Sequence, residues 1–210
     1  VNAGAKPVFV DVNKDSQNIS ISEIESAITE NTCAILCVHL AGWPCEMDAI
    51  MEIASAHNLY VVEDCAQAHG AKYKDQMVGS FGDIAAWSFC QDKIMTTGGE
   101  GGMITTNNEK LWSHVWSSKD HGKSYKKVFA AHSKNGFRWL HESFGFNARM
   151  TEMQAVIGKI QLRKMPEWKA KRSKNANDIL KLCKKFPKSL RVIMPPEYIE
   201  HAWYKCYVFV

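Results

Sequence analysis

An α/β domain built on a mainly parallel sheet is what the sequence predicts, from two observations. Apolar, β-branched runs alternate with amphipathic segments from residue 8 to residue 63, and the run Val61, Val62 leads straight into Glu63 and Asp64. Alternation of this kind implies parallel strands joined by crossover helices. Ligands collect at the carboxyl ends of such strands, so an acid placed there marks a candidate site.

The elements follow in order. Residues 8–12 read as a strand, and 21–29 as a helix opened by serines able to cap it. A strand over 33–40, a helix over 46–57 and a strand over 59–63 continue the alternation, and 72–78 reads as a surface hairpin or loop. Strands at 84–89 and 103–106 flank a glycine-rich turn, and a helix is expected over 109–117. One sheet with helices on both faces would take up these five strands. Residues 119–146 lack periodicity and are rich in Lys, Gly, Ser, His and aromatics, which suits an active-site loop or a surface insertion. A helix over 150–164 carries Met150, Met153, Ile157 and Ile160 on one face, and Pro166 fits the first turn of a second helix reaching about 185. The domain division expected from this pattern is 1–165 and 166–210.

Composition narrows the class. Of 210 residues, 46% are hydrophobic and 23% charged, enough for a sizeable core, and a net charge of +4 names no partner. No stretch approaches the ~20 apolar residues of a membrane helix, and no signal peptide is visible. Ten lysines and arginines fall between Lys159 and Lys185, but without interleaved aromatics or a zinc pattern they read as the solvated side of an amphipathic helix, not a nucleic-acid face. Seven cysteines without a CxxC pair suit core packing in a reducing, cytoplasmic compartment and give no metal site. Cys33 and Cys37, at even spacing, should share one strand face. His39, within a strand, reads as a satisfied core histidine.

Chemistry concentrates in Trp87-Ser-Phe-Cys-Gln-Asp-Lys93 and the Thr96-Thr-Gly-Gly-Glu-Gly-Gly102 that follows. The glycine run matches neither a dinucleotide fingerprint nor a P-loop, and lets the backbone turn tightly. Lysine forms Schiff bases with carbonyl cofactors. Pyridoxal 5′-phosphate needs an amine for its aldehyde, a carboxylate for its pyridine nitrogen, and hydroxyl or backbone donors for its phosphate. Lys93, Asp64 and Ser88 offer one of each, at strand ends able to face one crevice.

At these residues the sequence resembles the DegT/StrS family of pyridoxal phosphate-dependent sugar aminotransferases. The likeness runs from Ala3-Gly-Ala-Lys-Pro-Val-Phe-Val-Asp-Val12 through Val38-His-Leu-Ala-Gly42, Met47-Asp-Ala-Ile50, Glu63-Asp64 to His69-Gly70, Gly79-Ser-Phe-Gly-Asp83, Ser88 to Lys93 and Gly99-Glu-Gly-Gly102, ending at Gly145-Phe-Asn-Ala-Arg-Met-Thr-Glu-Met-Gln-Ala155. It implies an aspartate aminotransferase-like (fold type I) large domain and the start of a small C-terminal domain. It makes Lys93 the lysine that bonds the cofactor, Asp64 the partner of the pyridinium nitrogen, Gln67 the amide near the phenolic oxygen and Ser88 a phosphate ligand. Asn147 matches the asparagine that reaches the phosphate held by the other subunit of a homodimer. His69, Glu100 and Arg149 lie inside motifs without an assigned role. The chain reads as an internal piece, which the family precedes with a phosphate-gripping turn and a ring-stacking aromatic. The implied reaction moves an amino group, from glutamate in most relatives, to a keto sugar nucleotide in amino-sugar or cell-surface polysaccharide synthesis. A sugar dehydratase of the same family would carry histidine at position 93. A non-catalytic regulator and a cofactor-free sugar-binding module remain open at this stage.

Overall fold

The computed structural model describes residues 3–130 and 141–210. In chain order the strands are β1 (Ala34–Val38), β2 (Tyr60–Asp64), β3 (Lys72–Tyr73), β4 (Gln76–Met77), β5 (Ile84–Ser88), β6 (Gly102–Thr105) and β7 (Ile199–Glu200). The helices are α1 (Ile21–Ala27), α2 (Met47–Ala56), α3 (Glu109–Lys119), α4 (Tyr125–Phe129) and α5 (Glu152–Cys183).

The main sheet has the order β1-β2-β5-β6. Its first three strands are parallel, with Cys37 beside Glu63 and Asp64 beside both Val38 and Ala86, and β6 returns antiparallel to β5. The predicted mixed α/β architecture, mainly parallel, is what the chain forms. Alternation sends Ile35, Cys37, Val61, Glu63 and Ala85 to one buried face. Ile24 of α1 and Met47, Ile50 and Ala54 of α2 close the core over β1 and β2. Met165 and Trp168 of α5 join Ala85, Phe89 and Val78 in a second cluster. The opposite face is not covered in this way: Leu36 is 60% and Tyr60 59% exposed, so helices on both faces are not seen among the described residues.

Four local readings are corrected. Residues 8–12 form no strand of the sheet; Val12 makes a single antiparallel bridge to Ile19, because the chain turns back at Asn13 and Gln17 to bond itself. Ser20 occupies the N-cap of α1, but its hydroxyl pairs with Ser22 Oγ and makes no capping bond. Pro166 does not open a new helix: α5 runs through it for 32 residues, started by a Thr151–Gln154 capping box. The carbonyl that proline leaves without a donor belongs to Leu162, an exposed residue where water can serve it. Cys33 lies one residue before β1 and is exposed, while Cys37 is buried within it. In α5, Met153, Val156 and Ile160 face outward, and the buried residues are Met165, Ala176 and Leu180.

The 72–78 segment is a hairpin. Lys74 and Asp75 both take positive φ (47° and 66°), the two-residue geometry that matches strand twist, and β3 pairs on its other side with β7. Gly79, at φ +81°, ends this unit, and a Cβ there would stand 2.4 Å from the Trp87 ring. Gly79→Ala combines an unfavourable backbone conformation with overpacking, so a loss of ~2–4 kcal/mol is expected in denaturant unfolding of the full-length protein. A change below ~0.5 kcal/mol, the scatter of ordinary surface substitutions, would show that Trp87 can swing aside at no cost.

Candidate active site

The sheet face opposite the core carries Asp64 and Ser88. Asp64 ends β2, and Ala86 stands beside it on β5, so Ser88, two residues on, shares the face of Asp64 at the carboxyl edge of the neighbouring strand. Lys93 follows five residues later in the turn after β5, its backbone N–H bonded to the Cys90 carbonyl at 3.1 Å. The expected tight turning of the glycine run is present, with Gly98 at φ +82° and Gly99 at φ +147°.

Asp64, Gln67 and Ser88 each make one side-chain hydrogen bond to their own surroundings. Asp64 Oδ1 accepts from the Ala66 N–H at 2.9 Å. Gln67 Oε1 accepts from the Ala41 N–H at 2.7 Å, which fixes the amide with its NH2 turned the other way. Ser88 Oγ accepts from the Cys90 N–H at 3.3 Å, so its proton is available to a further acceptor. The Lys93 amine is 3.8 Å from Asp92 Oδ1, with the side chain only 15% exposed. Among the described residues, no hydrogen bond engages the second Asp64 oxygen, the Gln67 NH2 or the Ser88 hydroxyl proton.

His69 lies beside this group, 5% exposed and tilted between the rings of Trp87 and Phe89 at 5.4 and 5.9 Å. Both ring nitrogens are buried without a hydrogen-bond partner among the described residues, and the nearby Ser88 backbone does not reach bonding geometry. Burial, and then the charge of Lys93, hold its pKa down at about 4. A buried imidazole without hydrogen-bond partners costs stability.

Asn147 makes an antiparallel bridge with Asp120 at the end of α3, and Arg149 and Lys123 both donate to the Asp120 carboxylate. Those two cations outweigh the effect of burial and hold the Asp120 carboxyl below its usual range. The 119–146 stretch contains α4 and a bridge between Lys123 and His141, and 131–140 lie outside the described residues.

Three residues without an expected role frame the group. Glu63, one position before Asp64 and pointing the opposite way, is fully buried. Its oxygens accept from the N–H groups of Gly79 (2.7 Å), Phe81 (2.9 Å) and Gly82 (2.7 Å) and bond His39 Nε2 at 3.0 Å. The Cys45 N–H donates to His39 Nδ1 at 3.0 Å, which puts the ring hydrogen on Nε2 and leaves the histidine fully satisfied, as expected of a core residue. His39, Glu63 and Cys65 lie close enough to suggest a metal cluster, but these bonds already occupy the carboxylate and the ring. Tyr204 and Asp92 meet at the lysine, the hydroxyl donating to Asp92 Oδ2 at 2.7 Å. Period-two alternation in β2 could have flagged Glu63 as a core-facing acid. No local signal links Tyr204 to Asp92, 112 residues away.

Known proteins resemble this chain along its whole length. It superposes on the aminotransferase from Psychrobacter cryohalolentis with a TM-score of 0.95 and 58% identity, covering 99% of this chain and 54% of the other. It is 40% identical over 188 residues to GDP-perosamine synthase of Escherichia coli O157:H7, covering 86% of this chain and 49% of that protein. A third relative, the UDP-N-acetyl-3-dehydro-alpha-D-glucosamine 3-aminotransferase of Acidithiobacillus ferrooxidans, is 44% identical over 154 residues, covering 73% and 38%. The chain spans about half the length or less of these curated relatives. The model of one family, whose members depend on pyridoxal phosphate, matches residues 1–210. This chain belongs to the DegT/DnrJ/EryC1/StrS aminotransferase family.

Proposed function

We propose that the full-length protein is a pyridoxal phosphate-dependent aminotransferase that moves an amino group, taken from glutamate, to a keto sugar nucleotide. The carrying observation is the set of groups left over at the site. The second Asp64 oxygen is an acceptor suited to a pyridinium N–H. The Gln67 NH2 is a donor suited to an anionic ring oxygen, and the Ser88 hydroxyl is a donor suited to a phosphate. Lys93 brings the amine, and the residues fit the cofactor group by group. Bound there, pyridoxal phosphate would supply an aldehyde and an electron sink. Asp64 would keep the ring nitrogen protonated, because a carboxylate nearby favours the charged form. Lys93, once its amine is released, would carry a proton to and from the reacting carbon. A keto sugar nucleotide is favoured because relatives of this chain act on GDP- and UDP-linked sugars by name.

Homodimerisation with a shared site belongs to the same reading. The outward apolar stripe of Met153, Val156 and Ile160 on α5 is suited to burial against a second subunit. Asn147, bridged to Asp120, would serve the partner's phosphate. Cytoplasmic location is supported by seven free cysteines. Among the described residues no helix is long and apolar enough to cross a membrane.

A panel of keto sugar nucleotides incubated with glutamate tests the reaction directly, and no amino-sugar product from any of them would refute it. Asp64→Ala in the full-length protein should keep the cofactor bound while turnover falls by roughly 10²–10⁴. Turnover within a factor of two of the unmutated protein would remove Asp64 from the site.

A further inference from the structure

Lys93 has a built neighbourhood that the reading above leaves unused. Its amine stands 3.8 Å from Asp92 Oδ1 and 5.2 Å from the centre of the Tyr204 ring, within cation–π range. The Tyr204 hydroxyl donates to the other Asp92 oxygen at 2.7 Å. That bond, before any other influence, holds the Asp92 carboxyl below its ordinary range, and it raises the Tyr204 phenol.

Tyr204 is held in place from outside. The Ala202 N–H bonds the Gly42 carbonyl at 2.8 Å and the Lys205 N–H the Ala41 carbonyl at 3.1 Å, the same Ala41 whose N–H orients Gln67. Trp203 stacks on His201 at 4.1 Å, His201 meets Trp43 edge-on at 5.6 Å, and Arg172 binds the Trp203 carbonyl at 3.1 Å. Residues 201–205 therefore form a strap tied to the turn after β1 and to α5, with Tyr204 delivered to the lysine. Lys205 Nζ lies 5.7 Å from the same ring.

We propose that Asp92 and Tyr204 are positioning residues that seat the Lys93 amine whenever it is not bonded to the cofactor. The proposal rests on Lys93 being the cofactor lysine. An amine displaced in each half of a transamination has to stay near the reacting carbon and remain recoverable. A half-exposed carboxylate and the face of one ring hold an ammonium group weakly enough for that.

The test uses the full-length protein freed of cofactor, pulsed with acetic anhydride, with Lys93 labelling measured by mass spectrometry against the exposed Lys188. A seated amine reacts slowly. The Lys93-to-Lys188 ratio should rise about three- to five-fold in Asp92→Asn and in Tyr204→Leu, and about two-fold in Tyr204→Phe, which keeps the ring and loses the hydroxyl. Borohydride reduction after reloading the cofactor serves as the fold check, since a folded variant is still tagged at Lys93. Tagging at Lys93 with an unchanged labelling ratio overturns the seat and leaves the aminotransferase reading standing. If Tyr204→Leu fails to reload, Tyr204→Phe decides, and no rise in that variant overturns the seat. Tagging of a different lysine in the unmutated protein overturns both.

Discussion

Lys93→Ala in the full-length protein should abolish transamination, by at least about a thousand-fold, and with it the covalent attachment of the cofactor. No other residue of the 88–102 motif carries a primary amine, and Lys93 alone extends its amine from the turn that follows Ser88. The variant should still bind pyridoxal phosphate through Asp64, Gln67 and Ser88, whose own bonds do not involve the lysine. Dialysis would therefore remove the cofactor from the variant after borohydride treatment but not from the unmutated protein. Mass spectrometry locates the tag. Wild-type turnover in Lys93→Ala, with borohydride marking another lysine, is the outcome that sinks the functional reading.

The order in which the fold could be read follows how local its causes are. β1, β2 and β5 are short apolar runs followed by turn residues, so their existence is a nearest-neighbour matter; β1 and β5 lie within the stretches expected of them, and β2 runs one residue further, to Asp64. Residues 8–12 show the limit of this logic. A β-branched run is suited to a strand, but a ladder also needs a free edge, and here the chain bonds its own return at Ile19. Pro166 shows another. Proline is costly inside a helix when its missing bond is buried, and at this point the freed carbonyl is on an exposed turn of a helix anchored by Met165 and Leu180.

The site divides in the same way. Asp64, Gln67, Ser88 and Lys93 lie within 30 residues, at strand ends and in the turn after one, so a motif can carry them. The Tyr204–Asp92 contact, and the strap that makes it, exist only after the chain has closed on itself. The orphaned nitrogens of His69 are a property of three-dimensional burial and leave no mark in the residues around them.

Glu63 is the second residue whose loss should be severe, and the loss should appear in stability before activity. Burial by itself would push its carboxyl upward. The bonds from His39, Gly82 and Gly79 outweigh that, and the net displacement is downward. Glu63→Ala would strand three backbone N–H groups and the His39 Nε2–H in the core, and removing one member of such a buried set costs ~3–5 kcal/mol. Glu63→Gln keeps the shape but turns an NH2 toward donors on one side, for a smaller loss of ~1–3 kcal/mol. The pH dependence has a definite sign. A carboxyl lower in the folded than in the unfolded state contributes stability that is fully present above the unfolded value, about 4.5 here, and disappears as pH falls through the folded value. Unfolding midpoints of the unmutated protein should therefore drop more steeply below about pH 4.5 than those of Glu63→Gln, which has no proton to take up. Because the same carboxylate ties the Gly79–Gly82 turn to the strand that ends in Asp64, loosening it should also weaken cofactor retention at neutral pH. Parallel acid-unfolding curves for the two proteins would mean that Glu63 does not carry this linkage.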